Sequence, residues 1–526
     1  MASMMDSTWW MLAIPLSFTS SPLSLTTQFL ILFLAFVALA LFFPPGGLAW
    51  SLRRSPLRGP AGIPLFGCLP VMASATPHRW LSATARSLSA LDVMSFSVGL
   101  TRVVVSSSPE TAREILCSPA FADRPPKESA YELLFHRAMG FAPYGDYWRN
   151  LRRIAASHFF SRRRIEAAAG GRRAIGEKMV AEVLASTGAN GDVKLRRILH
   201  LGSLNHVMWT VFGRTFEFSG SSGEGRRLAE MVEEGYELLG VLNWGDHLPF
   251  LRWLDLQGVR RRCQKLVSQV NEFVGKIIEE HRDKGRTMKS GDEDDGDFVD
   301  ALLGSQEENR LTDSDMIAVL WEMIFRGTDT VAILLEWVMA RMVLHPEVQR
   351  RAQSEIDSVV GRGRGVWDSD LPKLSYLQAI VKEALRMHPP GPLLSWARLA
   401  IHDVDVGGQH IPVGTTAMVN MWAITHDEHI WERPEVFNPD RFMAGEEVSV
   451  LGTDLRLAPF GAGRRVCPGK AMGLASIHLW LAQLLQNYEW LPGAPTVDLS
   501  ECLKMSMEMK NPLVCRVKPR TATVGV

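Results

Sequence analysis

Cysteine is scarce in this sequence, and neither sign of charge is in excess. The six cysteines (Cys68, Cys117, Cys263, Cys467, Cys502 and Cys515) are scattered over 526 residues with no C-x-x-C pair. That spacing gives no disulfide framework and no zinc-type site, and it suits a reducing compartment. Lys and Arg together number 57, as do Asp and Glu, so no basic surplus supports a nucleic-acid partner. No repeat period is present. No G-x-G-x-x-G follows a strand pattern, so the chain carries no dinucleotide fingerprint of its own.

Positive charge is also missing from the N-terminal region, where the first Lys or Arg is Arg53. In its place Phe29 to Phe43 form an unbroken apolar run of fifteen residues, with the uncharged Leu23 to Gln28 before it. A spanning helix needs about 20 residues, so this run spans only with its flanks. A cleaved signal peptide is the alternative, and Ala38-Leu39-Ala40 mimics a cleavage site. The absence of Lys and Arg ahead of the run and the apolar continuation to Phe43 favour a retained transmembrane anchor. Arg53, Arg54 and Arg58 then keep the body on the cytosolic side. The chain divides into an anchor (1–50), a Pro/Gly hinge around Arg58 to Gly67 (51–74) and one long body (75–526).

Hydrophobic residues make up 46% of the chain, enough for a large core. The body reads as mainly α with small β-sheets (α+β). Val93–Val98, Gly99-Leu100 and Thr101–Val105 read as a hairpin, and Ser108-Pro109 as a helix start. Val404–Val406, Gly407-Gly408 and His410–Val413 read as a second hairpin, extended by Thr416 to Asn420. The polar stretch Lys284 to Asp297 reads as a connector. The longest helix is expected from Asp313 to Leu344, capped by Thr312 with Asp315 and stopped by His345-Pro346.

The most informative stretch is Pro459 to Gly473, PFGAGRRVCPGKAMG. Cys467 stands at the mouth of a glycine-rich loop, after two arginines and before an apolar helical run. A lone cysteine is more often a small buried hydrophobe. Here a helix N-terminus and nearby cations should lower the thiol pKa. Gly461, Gly463 and Gly469 let backbone approach a large flat partner. The segment fits F-x-x-G-x-R-x-C-x-G at Phe460, Gly463, Arg465, Cys467 and Gly469, and so resembles the haem-binding signature of the cytochrome P450 superfamily. The resemblance implies the P450 fold and haem b with Cys467 as its axial iron ligand. It also implies Phe460, Arg465 and Gly469 as cofactor-binding residues.

Within the long helix, Gly327 should cost about 1 kcal/mol relative to alanine, and Thr328, Asp329 and Thr330 interrupt an apolar run. A distorted core helix with hydroxyls bonded back to carbonyls is one reading. The stretch also resembles the superfamily's A-G-x-D/E-T segment, which implies Thr330 beside bound oxygen and Asp329 supplying protons. Arg326 stands where the superfamily has alanine or glycine. It can pair with Glu322 one turn back, or hold an acidic group of the substrate.

Further motifs follow in the superfamily's order. Trp148 and Arg152 resemble W-x-x-x-R, which implies contact with a haem propionate, and Arg398 and Arg465 fit the other contacts. Glu383 and Arg386 are three apart on a helix; most such pairs are solvated, contributing at most ~1 kcal/mol. They match E-x-x-R, and with Arg441 in Phe437–Phe442 the resemblance implies a buried structural cluster.

Ala122–Pro125, Phe135–Gly145, Trp321–Thr330 and Pro390–Arg398 resemble plant cytochrome P450 family 78A. That resemblance implies a single-pass endoplasmic-reticulum monooxygenase hydroxylating a lipophilic, fatty-acid-type substrate, with a role in organ and seed growth. Electrons would come from NADPH through a separate reductase, and the lipid bilayer would be a partner. The alternatives are a haem-thiolate isomerase or dehydratase acting on hydroperoxides, and a haem sensor without catalysis. The pocket is expected from Ala122–Gly145, Phe218–Leu254, the long helix, Gly391–Arg398 and Met505–Leu513.

Overall fold

A computed structural model describes residues 24–42, 46–51, 57–188, 190–217, 223–287, 297–304, 311–394, 397–443, 447–494 and 496–520. The architecture is mainly helical with small sheets. Helix α1 is Leu25–Phe42, ahead of the body. Within the body the principal helices are α2 (Asp146–His158), α3 (Leu195–Phe212), α4 (Gly223–Gly240), α5 (Val259–Thr287), α6 (Asp313–Leu344), α7 (Ser375–Met387) and α8 (Lys470–Asn487).

At 32 residues α6 is about 48 Å long, and most of its side chains are buried. Its start is the expected reciprocal cap: Thr312 Oγ1 accepts from the Asp315 amide, and Asp315 Oδ2 accepts from the Thr312 amide. Its apolar residues point all round, so it is buried rather than amphipathic. Met316 to Phe325 pack into one hydrophobic core with α4 and α5, while Ala332 to Val343 pack into a second with α7 and α8. The polar turn Arg326–Thr330 falls between the two cores. The α8 helix crosses the same gap, with Met472 in the first core and Ile477 in the second.

Four small sheets flank the helices among the described residues. The first hairpin forms as read, Met94–Val98 against Thr101–Ser106. The second does too, but only as Val404–Val406 against Gln409–Ile411. Thr416–Val419 does not extend it, contrary to the sequence reading. This strand pairs in parallel with Thr101–Ser106, and with Arg398–Leu399 on its other side. The turn at Pro412–Gly414 redirects the chain, with the Gly414 amide on the Ala400 carbonyl at 2.8 Å.

The expected connector is shorter than read, because α5 continues to Thr287; positions 288–296 lie outside the described residues. Positions 1–23 and the Arg53-Arg54 flank of the anchor also lie outside them. Among the described residues no helix is long and apolar enough to cross a membrane. With 18 residues, α1 is about 27 Å long, short of the ~30 Å hydrocarbon layer.

The hinge segment lies along the first sheet. The Ser95 amide donates to the Arg58 carbonyl at 2.9 Å, and the Cys68 amide to the Ser97 carbonyl at 2.7 Å. Trp50, on the anchor side of the expected boundary, is buried in the body, its Nε1 donating to the Phe96 carbonyl at 3.0 Å.

Candidate active site

Three segments surround one internal cavity between the two cores. The first is the cysteine loop. The Cys467 amide donates to the Phe460 carbonyl at 2.9 Å, a 3-10 turn at Gly463–Arg465 folds the chain back, and α8 starts three residues after the cysteine. Gly463 has φ +67°, and a Cβ there would stand 2.2 Å from the Leu116 carbonyl oxygen. No other residue fits. Cys467, Phe460 and Gly469 all line the cavity.

The cysteine's charge state departs from the sequence reading. Burial pushes the Cys467 thiol up, although Arg326, the Gly469 amide, Arg152 and Lys470 all favour the anion. The cations act in the expected direction, but desolvation of an enclosed sulfur is larger. Metal ligation would restore the thiolate, since binding displaces the proton.

The second segment is a rim of arginines. Arg152 and Trp148 come from α2, with the Arg152 guanidinium 5.7 Å from the Trp148 ring centre. Arg465 stacks over the same ring at 4.4 Å and donates to the carbonyls of Ala122, Met139 and Ala142. Arg398 is buried; its Nη2 reaches the Ala462 carbonyl at 3.4 Å and its Nε has no partner. Burial, then Arg465 and Arg152, push Arg398 down to about 9. Burial and Arg152 push Arg465 down to about 10, against the pull of Asp123.

Arg124 belongs to this rim and was missed by residue-level reading, though its Ala122–Pro125 stretch was recognisable. Its Nε donates to the Gly140 carbonyl and its Nη1 to the Ala397 carbonyl, both at 3.1 Å. Burial and the neighbouring Arg398, Arg465 and Arg326 hold it well below the usual arginine range. Guanidiniums stay charged in proteins, so the rim is a concentration of positive charge that needs an anion.

The third segment is the middle of α6. Gly327 is there because α3 presses on it: a Cβ would meet Val207 Cγ2 at 2.5 Å. The helix stays continuous, and the hydroxyls bond back one turn, Thr328 to Ile324 at 2.7 Å and Thr330 to Arg326 at 3.4 Å. Thr330, Arg326 and Glu322 line the cavity with Cys467. Arg326 Nη1 lies 3.3 Å from Glu322 Oε1. Asp329 does not share this cavity. It faces the other side of α6, where its Oδ1 meets His200 Nδ1 at 3.0 Å. No local sequence signal marked His200.

Behind the cysteine loop, Glu383, Arg386 and Arg441 come together. Arg386 makes a two-pronged contact with Glu383 at 2.8 and 2.9 Å, and both side chains are fully buried. Arg441 Nε lies 3.1 Å from Glu383 Oε2. Carbonyls of Thr425 and Pro434 take the remaining Arg386 donors at 2.8 Å.

A buried sulfur, a close-packed glycine loop, and buried arginines with one orphaned donor together fit a flat, dianionic metal cofactor such as haem. The comparisons with known proteins agree. The family model for Cytochrome P450 matches residues 57–516. Cytochrome P450 78A5 of Arabidopsis thaliana is 59% identical over 495 residues, covering 93% of this chain and 94% of that protein. Cytochrome P450 78A11 of Oryza sativa subsp. japonica is 50% identical, covering 99% and 98%. A solved structure of a zebra fish cytochrome P450 with abiraterone superposes with a TM-score of 0.70 at 25% identity, covering 85% of this chain and all of that one. The chain therefore belongs to the cytochrome P450 family, among its 78A members, and is a monooxygenase with a cysteine-ligated haem served by a reductase.

Proposed function

We propose that this protein hydroxylates a lipophilic, fatty-acid-type molecule at a membrane surface: RH + O2 + 2 e− + 2 H+ give ROH + H2O. The observation that carries this reading is the placement of Thr330 and Cys467 in one cavity whose remaining walls include Met139, Val207, Leu334, Leu394 and Met505. Cys467 would hold the haem iron. Trp148, Arg152, Arg398, Arg465 and Arg124 would hold its carboxylates. Haem, when bound, supplies oxygen activation, and thiolate ligation favours O–O cleavage.

The chain's own groups then divide the work. Thr330 Oγ1 makes only a long bond to the Arg326 carbonyl, so it can turn and hold a proton on the cavity side. Asp329, the residue before it and about 100° round α6, turns its side chain to His200 instead. The apolar walls exclude water and orient a hydrocarbon substrate. Arg326, neutralised by Glu322, shapes the cavity rather than binding the substrate's acid group.

The anchor reading rests on α1, where six consecutive side chains, Phe29 to Leu34, stand half or more exposed. Such a strip has nowhere to go in water. Together with the uncharged flank before it, the strip supports an endoplasmic-reticulum attachment with the body in the cytosol. A role in organ and seed growth extends the same family reading.

Incubation with C12–C18 fatty acids, NADPH and the reductase tests the proposal. Hydroxylated product that requires both NADPH and reductase is expected. Turnover of a lipid hydroperoxide without reductase would indicate a rearranging enzyme instead.

A further inference from the structure

Among the described residues five arginines line the Cys467 cavity, and four of them (Arg124, Arg152, Arg398 and Arg465) are assigned above to the haem carboxylates. Arg326 is the fifth. It stands on α6 one turn before Thr330, whose hydroxyl bonds back to the Arg326 carbonyl at 3.4 Å. The Arg326 side chain keeps 34% of its surface accessible, whereas Glu322 beside it keeps 2%. A second cavity, of about 660 Å³, lies on the Asp329 side of α6 and is lined by five Lys or Arg and five Asp or Glu. Arg326 lines only the first, so it is offered to a space with Met139, Val207, Leu334 and Leu394 in its walls.

A guanidinium donates hydrogen bonds, accepts none and stays charged. Glu322 already supplies its countercharge: Oε1 lies 3.3 Å from Arg326 Nη1 and is fixed by the Gly140 amide at 2.7 Å. A second carboxylate brought to Arg326 would meet that negative charge at close range in an enclosed place, and like charges so placed disfavour one another. A plain alkyl chain suits the spot no better. It would strip water from the accessible donors and return no acceptor, and a buried donor left unsatisfied costs more than a made bond gains. What fits is an oxygen that accepts without charge, a hydroxyl or a ketone.

We propose that the substrate is a lipid chain already carrying an uncharged oxygen, to which Arg326 donates while the carbon to be oxidised lies beside Thr330. The proposal rests on the monooxygenase reading above and narrows its substrate class. Arg326 and Thr330 are about 6 Å apart along the helix, so the new oxygen enters within a few carbons of the old one. Atoms and electrons balance as HO–R–H + O2 + 2 e− + 2 H+ giving HO–R–OH + H2O. A C–H bond is replaced by C–O, and NADPH supplies the electrons through the reductase. An earlier oxygenation of the same chain must therefore supply the substrate, and the product is a diol or a hydroxyketone. An acid group on the chain lies away from Arg326.

The test uses the haem-loaded enzyme, with octadecanoic acid and its isomers bearing one hydroxyl at successive positions along the chain. In spectral titrations at least one isomer should bind about tenfold or more tighter than the unsubstituted acid. Its ketone counterpart should bind within about threefold of it, because Arg326 only donates. Mass spectrometry of the product should place the second oxygen within a few carbons of the first. Glu322→Gln combined with Arg326→Met removes both charges together and leaves an acceptor for the Gly140 amide. That double variant should keep its haem and lose the preference for the hydroxylated chain. No isomer binding tighter than octadecanoic acid, or a preference that survives in the double variant, would overturn the proposal. Oxidation confined to the far methyl end would overturn it too, and the wild-type readings hold whether or not the variant folds. Tight binding of a hydroxylated chain without NADPH-dependent product from any probe would support the Arg326 contact and overturn the monooxygenase reading instead.

Discussion

Arg326 Nη1 and Glu322 Oε1 lie 3.3 Å apart, and the same carboxylate oxygen accepts the Gly140 amide hydrogen at 2.7 Å. The pair thus latches the loop after Phe135 onto α6, directly over the cavity. A Cβ on Gly140 would come within 2.3 Å of Arg326 Nη1 and 2.4 Å of Glu322 Oε1. Arg326→Ala is expected to weaken free-acid and methyl-ester substrates by similar factors, because it strands the buried Glu322 and loosens the loop. Spectral binding titrations with matched acid and ester check this. A loss of more than about tenfold confined to the acid, worth ~1.4 kcal/mol, would show a carboxylate clamp.

Arg398 carries an unpartnered buried Nε among other arginines, so its removal should cost cofactor more than fold. Arg398→Gln is expected to lower haem content per chain severalfold while the thermal unfolding of haem-free protein is unchanged or improved. A fall in haem-free stability would show that Arg398 is a structural group instead.

The cluster behind the cysteine loop makes the opposite prediction. Glu383→Gln leaves Arg386 buried against a neutral amide in place of its carboxylate, and breaking a buried pair in this way typically costs about 3–5 kcal/mol. Unfolding midpoint and expression should both drop, with haem content falling only as a consequence. A well-folded Glu383→Gln protein lacking haem would contradict the structural role.

Glu501 sets one acid limb of stability. Burial opposes its charge, but bonds from His78 at 3.0 Å and from Arg79 hold its carboxyl down to about 2. A depressed folded pKa means this stabilisation is complete above the unfolded value near 4.5 and disappears as pH falls through 2. The contribution is of order 3 kcal/mol. Glu501→Gln should therefore be less stable than wild type at neutral pH, with the gap closing between pH 5 and 2 in denaturant titrations. A constant gap across that range would assign the loss to packing.

What could be read in advance was what is local. The Thr312 cap needs only Asp315 three residues on, and the positive φ of Gly461 and Gly463 belongs to the local turn of the cysteine loop. Pairing across the chain was less accessible. Thr416–Val419 looked like a hairpin extension because its nearest strand in sequence was Gln409–Ile411, whereas its partner, Val103 to Ser106, lies more than 300 residues away. Helix geometry already places Asp329 and Thr330 about 100° apart, so their separation into two cavities was implicit. His200 was not, because a lone histidine on a helix acquires meaning only from the helix it meets. Burial inverted the expectation for Cys467, since local cations are visible in a sequence and enclosure is not.

Trp50 has a mechanical consequence. Its indole is pinned to the Phe96 carbonyl, and only eight positions separate it from Phe42 at the end of α1. Fully extended, that interval reaches about 28 Å. Whatever holds α1 therefore holds the first sheet on a short stay, and the body can tilt about Trp50 but cannot drift away or turn its back.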